Sequence, residues 1–408
     1  MLRLAAVTVT QDARYSRLAA TVERDRGREP VELTYEYSRD SIPFLQASAD
    51  PLVPALLIPC MARSEPLEIV PPISAKLHAA LDTIQTIMTQ WWPELRRVPV
   101  SATQRHGGES STVTRMESAS FFSGGVDSLY TCLKHAAAPR SAGSPRLTHI
   151  VHMEGVEKPL EESTDSRPLR DDIRRTAEHY GVQVVFGRTN MRTVFPLQWS
   201  RYYHGAGLAS VGLSLSATFG RILIPSTHTF RHLFPWGSHP LLDPLWSTES
   251  TEIVHDGCEA TRVEKTALIA SDPYALAHVR VCLRNAAGTG NCGRCKKCMR
   301  TMVTLAALGA LSSAGTFPNH LPDDYDEILP LGEANDRAFV EEILSYLEER
   351  EPASPMAKAL SHRLRESRRR AAGRDYVHNS RLEGMLPTVR RLRGAAVRLA
   401  SIIGHFVG

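Results

Sequence analysis

Residues 118–136 carry the string Phe121-Phe122-Ser123-Gly124-Gly125-Val126-Asp127-Ser128 followed by Leu129–His135, a pattern that suits the gripping of a phosphate chain. Two glycines let the backbone turn tightly and aim its N–H groups at an anion. The hydroxyls of Ser123 and Ser128 add donors, and Asp127 supplies a carboxylate of the kind that holds Mg²⁺ against phosphates. For this to work, Met116–Phe122 must be a strand entering a buried sheet and Leu129–His135 a helix, whose positive N-terminal end then faces the same anion. The Gly-Lys-Ser/Thr ending of a Walker A loop is absent. Without its strand and helix, the string is an ordinary Gly-Gly turn.

The second chemical feature is Cys282, Cys292, Cys295 and Cys298, spaced C-x9-C-x2-C-x2-C. Four thiolates suit a tetrahedral structural Zn²⁺ with no open position for water. An iron–sulfur cluster takes the same donors. Disulfides are disfavoured, because Met1–Thr10 lacks the apolar core of a secretory leader and Cys60, Cys132 and Cys258 are scattered singles. Arg294, Lys296, Lys297 and Arg300 flank the cluster and are expected to lower the thiol pKa values.

The elements that must position these groups alternate. Thr148–Met153, Val182–Phe186, Arg221–Ile224 and Glu252–His255 read as further strands, with Leu169–Tyr180, Leu208–Phe219 and Val263–Ile269 as helices between or after them. Alternation of this kind predicts an α/β fold, a parallel sheet with helices on both faces. Ligands of such sheets sit beyond the carboxyl ends of the strands, at the point where strand order reverses. The loop 226–240 follows one of those ends and carries His228, Phe230, Arg231 and Trp236; a planar base could stack on Phe230 or Trp236 while Arg231 or His228 meets an anion. The same residues would serve equally as a packed loop. Lys265, one turn beyond Arg262, is a candidate to neutralise phosphate, and Asp256 a candidate to orient an amine or hold Mg²⁺.

Before this block, residues 1–112 read as an α+β extension: Val31–Tyr37 alternates like a strand, Leu52–Ile58 is an apolar run suited to a buried strand or other core segment, and Ile73–Trp92 has helical periodicity. A polar linker is expected over Gln104–Thr112. After it, 312–408 reads as a helical, basic extension, with an amphipathic helix over Asp336–Glu349. Residues 354–408 hold 12 Lys and Arg against 3 Asp and Glu, a surplus of nine in a chain whose total is +4, so the basicity is local to the tail. With 42% hydrophobic and 23% charged residues and no apolar run near the ~20 residues of a membrane span, the chain reads as a cytoplasmic globular protein with no membrane partner.

The Ser-Gly-Gly-x-Asp-Ser string resembles that of PP-loop ATP pyrophosphatases, which split ATP into AMP and pyrophosphate. Its combination with C-x9-C-x2-C-x2-C in the same order resembles the QueC (7-cyano-7-deazaguanine synthase) family over about residues 116–310. Pro240-Leu241-Leu242 and Lys265-x-x-Leu268-Ile269 are similar to further segments of that family, although Leu268 stands where a Glu is expected. The resemblance implies an adenine-nucleotide α-hydrolase-like (PP-loop/HUP) domain over 113–311. ATP would lie on Ser123, Gly124, Gly125, Val126, Asp127 and Ser128, with Asp127, Ser128 and Lys265 catalytic, Mg²⁺ beside the phosphates and structural Zn²⁺ on the four cysteines. It implies adenylation of the carboxylate of 7-carboxy-7-deazaguanine or a relative, then transfer of the acyl group to an amine. Ammonia would make this a nitrile-forming synthase of queuosine biosynthesis. QueC-like proteins with added domains also occur in anti-phage gene sets, including type IV CBASS, where they are associated with joining a deazaguanine to the N-terminal amine of a partner protein. The extensions on both sides favour the protein amine. Two rivals are a PP-loop tRNA-modifying enzyme that holds RNA with the basic tail, and a noncatalytic scaffold that keeps the fold.

Overall fold

The computed structural model describes residues 1–24, 29–39, 44–105, 117–136, 146–162, 167–282, 284 and 290–372. Most of the linker expected over Gln104–Thr112 and the tail beyond 372 lie outside the described residues. The chain divides into two compact units, Met1–Asp323 and Asp324–Gly408.

The first unit is built on one ten-stranded sheet. In chain order its strands are β1 (Leu2–Gln11), β2 (Tyr15–Glu23), β3 (Val31–Ser38), β4 (Leu67–Ile73), β5 (Val100–Gln104), β6 (Ser118–Phe121), β7 (Leu147–Glu154), β8 (Gln183–Thr189), β9 (Arg221–Pro225) and β10 (Glu252–Asp256). Their spatial order is β10-β9-β6-β7-β8-β3-β2-β1-β4-β5. The β10-β9-β6-β7-β8 half is parallel throughout. Taken from β6 onward, its order is 3-2-1-4-5, that of a Rossmann-like open sheet, and the order reverses between β6 and β9.

Helices α1 (Leu52–Arg63), α2 (Ala75–Trp91), α3 (Val126–Ala136), α4 (Arg167–Tyr180), α5 (Met191–Val194), α6 (His204–Ser214), α7 (Arg262–Ser271), α8 (Pro273–His278) and α9 (Lys296–Ala307) complete this unit. They cover both faces, which explains why the central strands are apolar on alternate residues in both directions. On β9, Ile222 and Ile224 join the core containing α1, α2 and α6, whereas Leu223 joins the one containing α3, α4, α7 and α9. On β7, Val151 and Met153 face the first core and Ile150 the second.

The expected strands and helices of the central region are present. Leu52–Ile58 is helical, within α1, and every residue from Leu52 to Met61 is buried. A continuous apolar run has no period with which to separate a buried strand from a helix buried all round. The described strands of residues 1–112 join the same sheet as the rest: β3 pairs antiparallel with β8, Tyr35 opposite Thr189 and Tyr37 opposite Gly187. Tyr35 and Tyr37 then share hydrogen bonds with Ser210 and Ser214 of α6, at 2.6 and 2.5 Å.

The second unit contains α10 (Tyr325–Ile328), α11 (Ala334–Arg350) and a helical stretch over 355–372. As the amphipathic pattern predicts, Phe339, Ile343 and Leu347 of α11 are buried. Arg368 pairs with Glu341 at 2.8 Å, and the Ser367 hydroxyl donates to the Leu331 carbonyl at 2.6 Å. Among the described residues no helix is long and apolar enough to cross a membrane.

Candidate functional site

Ser123–Ser128 lies at the carboxyl end of β6, beside the reversal in strand order, and runs directly into α3. Gly124 has φ +76°, a left-handed conformation that favours glycine. The loop closes on itself: Ser128 donates its hydroxyl to the Gly125 carbonyl at 3.0 Å and accepts the Ser123 N–H at 3.3 Å. A stretch of backbone distant in sequence approaches from outside it, since the Arg280 backbone N–H donates to the Gly124 carbonyl at 2.8 Å.

Asp127 turns away from the loop into a pair of cations. Arg262 Nη1 and Nη2 reach its two oxygens at 3.0 and 3.1 Å, Lys265 Nζ lies 3.7 Å away and the Thr227 hydroxyl donates at 3.3 Å. Burial pushes the Asp127 pKa up, but the charges of Arg262, Lys265 and Arg300 overcome it and hold the carboxyl below its usual value. Lys265, 1% exposed, donates to the Ser226 carbonyl at 2.6 Å; its burial lowers its pKa despite Asp127. A carboxylate clasped in this way is not disposed as a lone Mg²⁺ ligand, and the feature best suited to polyphosphate is the cationic wall of Arg262 and Lys265. Asp256, the other Mg²⁺ candidate, is committed to α3: it accepts from Thr131 at 2.8 Å, Lys134 at 3.0 Å and His135 at 2.9 Å.

Next to the loop is a small hollow lined by the ends of β9 and β10, the start of α6 and the segment 227–240. Thr227 belongs to both the hollow and the Asp127 cluster. Of the candidates in 226–240, His228 and Trp236 lie on its wall. Phe230, 63% exposed, and Arg231 lie off that wall at the surface. His228, Phe234 and Trp236 meet edge to face, with ring centroids 4.5 to 6.0 Å apart. Burial, reinforced by Arg262, pushes the His228 pKa down to about 3. Burial also lowers His239, to about 4, and His204.

His255 is the opposite case. Burial disfavours its charge, but its Nδ1 lies 2.7 Å from Asp243 Oδ2, and Asp243 with Cys258 raises its pKa to about 9. Asp243 is fully buried and accepts further hydrogen bonds from the Ser238 hydroxyl at 2.6 Å and the His239 N–H at 3.3 Å. The start of α6 closes over it so tightly that a Cβ on Gly205 would stand 2.1 Å from Asp243 Oδ1. No local motif announces this pair, since its members are 12 residues apart on separate elements.

The four cysteines of C-x9-C-x2-C-x2-C converge, with all sulfurs within 4.8 Å of one another. Cys292 and Cys298 sulfurs are 3.8 Å apart and those of Cys282 and Cys295 4.0 Å, close to the ~3.8 Å edge of a tetrahedron with Zn–S bonds of ~2.3 Å. Cys295 caps α9, its sulfur accepting the Cys298 N–H at 3.5 Å, and Cys292 accepts the Cys295 N–H at 3.3 Å. The donor set therefore fits a metal such as Zn²⁺. At Cys295 and Cys298 burial outweighs the basic flank. Burial pushes Cys295 and Cys298 up, while Lys297 turns to Glu157 at 3.2 Å. Asn291 braces the site, accepting from the Val281 and Cys282 N–H groups at 2.8 and 3.0 Å and donating to the Val279 carbonyl at 3.0 Å. The braced segment includes Arg280, so one stretch of chain serves both the cysteine cluster and the loop at Gly124.

Fold and site together define an α/β protein with a Rossmann-like half-sheet, an anion-suited loop at its reversal point and a four-cysteine cluster that could hold a metal. No protein-family model, curated protein or solved structure matches the chain.

Proposed function

We propose that this protein is a PP-loop, AMP- and pyrophosphate-forming ligase that activates the carboxylate of a 7-deazaguanine with ATP and passes the acyl group to an amine. The observation that carries the reading is the convergence of Arg262 and Lys265, 5% and 1% exposed, on the Ser-Gly-Gly-x-Asp-Ser loop at the end of β6. Buried cations at the carboxyl edge of a Rossmann-like sheet favour a departing pyrophosphate. In the first step a carboxylate oxygen attacks the α-phosphorus of ATP and the bond to pyrophosphate breaks. In the second, the amine attacks the acyl carbon, AMP leaves with the bonding pair, and the nitrogen loses a proton. Backbone N–H groups of 123–128 and the α3 N-terminus bind phosphate, while Arg262 and Lys265 offset its charge. Mg²⁺ is expected to enter with the ATP phosphates. The planar base would enter at the aromatic and histidine-lined hollow beside Thr227, which as it stands has room for little more than a water molecule and must open to admit it.

The acceptor we favour is the N-terminal amine of a partner protein, in anti-phage defence. The resemblance to QueC-like proteins of defence gene sets supports it, as do the regions added on both sides of the catalytic core. The test is incubation of the protein with ATP, Mg²⁺ and 7-carboxy-7-deazaguanine, with ammonium in one arm and the proteins encoded beside it in another. Mass spectrometry is expected to find AMP and a deazaguanine-sized increase on one neighbouring protein. Efficient nitrile formation with ammonium alone would replace the protein acceptor by ammonia. No AMP in either arm would overturn the adenylating reading.

A further inference from the structure

We propose that His255, oriented by Asp243, is the group that receives the carboxylate of the acid substrate in the hollow beside the phosphate loop. The assignment rests on the adenylating reading above and names the residue that presents the acid for activation.

The geometry begins with Asp243. It is fully buried, and its Oδ2 takes both the Ser238 hydroxyl at 2.6 Å and His255 Nδ1 at 2.7 Å. Nδ1 is thereby committed as a donor; Nε2–H is the second donor of the ring when it is protonated, with the Cys258 thiol also beside the ring. His255 is the last residue but one of β10, at the carboxyl edge where ligands of such sheets lie, and it lines the hollow. The groups packed about the ring are Asp243, Cys258, His204 and His239. Of these Asp243 is the one carboxylate, Cys258 also favours the protonated ring, and His204 and His239 are pushed toward the neutral form by burial. Thus, of the four histidines on the wall, His255 is the one that keeps its proton at neutral pH.

The rest of the lining suits an aromatic acid. Phe234 and Trp236 provide flat apolar surface, Thr227 and Ser238 provide hydroxyls, and no Asp or Glu lines the hollow. Arg262, Arg300 and Lys265 all oppose protonation of His228 on the same wall, with Asp127 the one charge that favours it. Thr227 connects the hollow to Asp127 and so to the loop. An acid held by one oxygen on His255 keeps its other oxygen for phosphorus. Once the acyl phosphate has formed, the same N–H remains available to the carbonyl oxygen as charge develops on it. Asp243 is a positioning residue, fixing the ring and sustaining its charge.

The test is calorimetric titration of the full chain, without ATP, with 7-carboxy-7-deazaguanine and with 7-deazaguanine, which lacks the carboxylate. At pH 7.5 the protein is expected to prefer the acid by about tenfold or more, the range of a charge-assisted hydrogen bond. His255→Gln is expected to abolish the preference while leaving binding of the bare ring. Asp243→Asn should move the pH at which the preference disappears downward from about 9. A folded His255→Gln protein that retains the preference would overturn the proposal, as would a natural chain that shows none. Should His255→Gln not fold, the natural chain decides: a preference unchanged between pH 8 and pH 10 overturns the assignment. ATP–pyrophosphate exchange, measured separately, isolates the other claim. Preferential binding of the acid without exchange would refute adenylation and leave His255 as a carboxylate receptor.

Discussion

Replacing Lys265 by methionine separates a residue kept for chemistry from one kept for stability. Lys265 is 1% exposed and its Nζ lies 3.7 Å from Asp127, an attraction of about 4–5 kcal/mol at an effective dielectric of about 20. The downward shift of its pKa means that burial more than cancels this attraction, so losing the charge is not itself destabilising. What Lys265→Met removes is the 2.6 Å hydrogen bond to the Ser226 carbonyl, about 1–3 kcal/mol, partly offset by the well-filled apolar replacement. The net loss should stay within about 2 kcal/mol. Arg262→Met is different. It strips Asp127 of an ion pair at 3.0 Å and a hydrogen bond at 3.1 Å and leaves it the more distant lysine and the Thr227 hydroxyl, which should cost about 3 kcal/mol, moderated by the 22% exposure of that carboxylate. Urea unfolding at pH 7.5 measures both, and ATP–pyrophosphate exchange is expected to fall at least about 100-fold in each. If Lys265→Met were the more destabilising by several kcal/mol, or if it unfolded normally and still exchanged at the natural rate, the division of labour argued here would be refuted.

Three further outcomes are expected. Metal analysis should find one Zn²⁺ per chain, lost in Cys298→Ser; chelation should lower the melting temperature and speed hydrogen exchange at the Arg280 amide, which donates to Gly124. Gly205→Ala should prevent stable folding or cost more than about 3 kcal/mol, because the new Cβ would lie 2.1 Å from Asp243 Oδ1 and 2.7 Å from the Gly237 carbonyl, and circular dichroism melts read it directly. The His255 pKa is raised on folding from about 6.5 to about 9, so the pair's contribution, up to about 3 kcal/mol, is complete below pH 6.5 and lost as pH rises through 9; unfolding from pH 6 to 10 should show that slope, and Asp243→Asn should flatten it.

What could be read from the chain was local. Phe121–Ser128 announces its loop because strand, glycines and hydroxyl residues adjoin in sequence, and three of the four cysteines sit within seven residues. The strands Leu147–Glu154 and Gln183–Thr189 were legible because they are short apolar runs between polar segments. Leu52–Ile58 was ambiguous for want of a period, and β1, β2, β4 and β5 went unread because their burial comes from partners elsewhere in the sheet. The contacts that refine the site were illegible for a related reason. Arg280 meets Gly124 and Asp243 meets His255 only after the sheet has assembled, and neither pairing leaves a spacing behind.

The pairing of β3 with β8 also governs how this chain can be dissected. Residues 113–323 hold both the phosphate-suited loop and the four cysteines, yet a fragment cut there would bare the flank of β8 at Gly187–Thr189 and take from the Ser210 hydroxyl both its partners, Tyr35 and the Pro51 carbonyl. A newly opened strand edge invites its own kind, and such a fragment would find its missing neighbour in another copy of itself. The N-terminal strands therefore cover the β8 flank and move the open edge of the sheet out to β5.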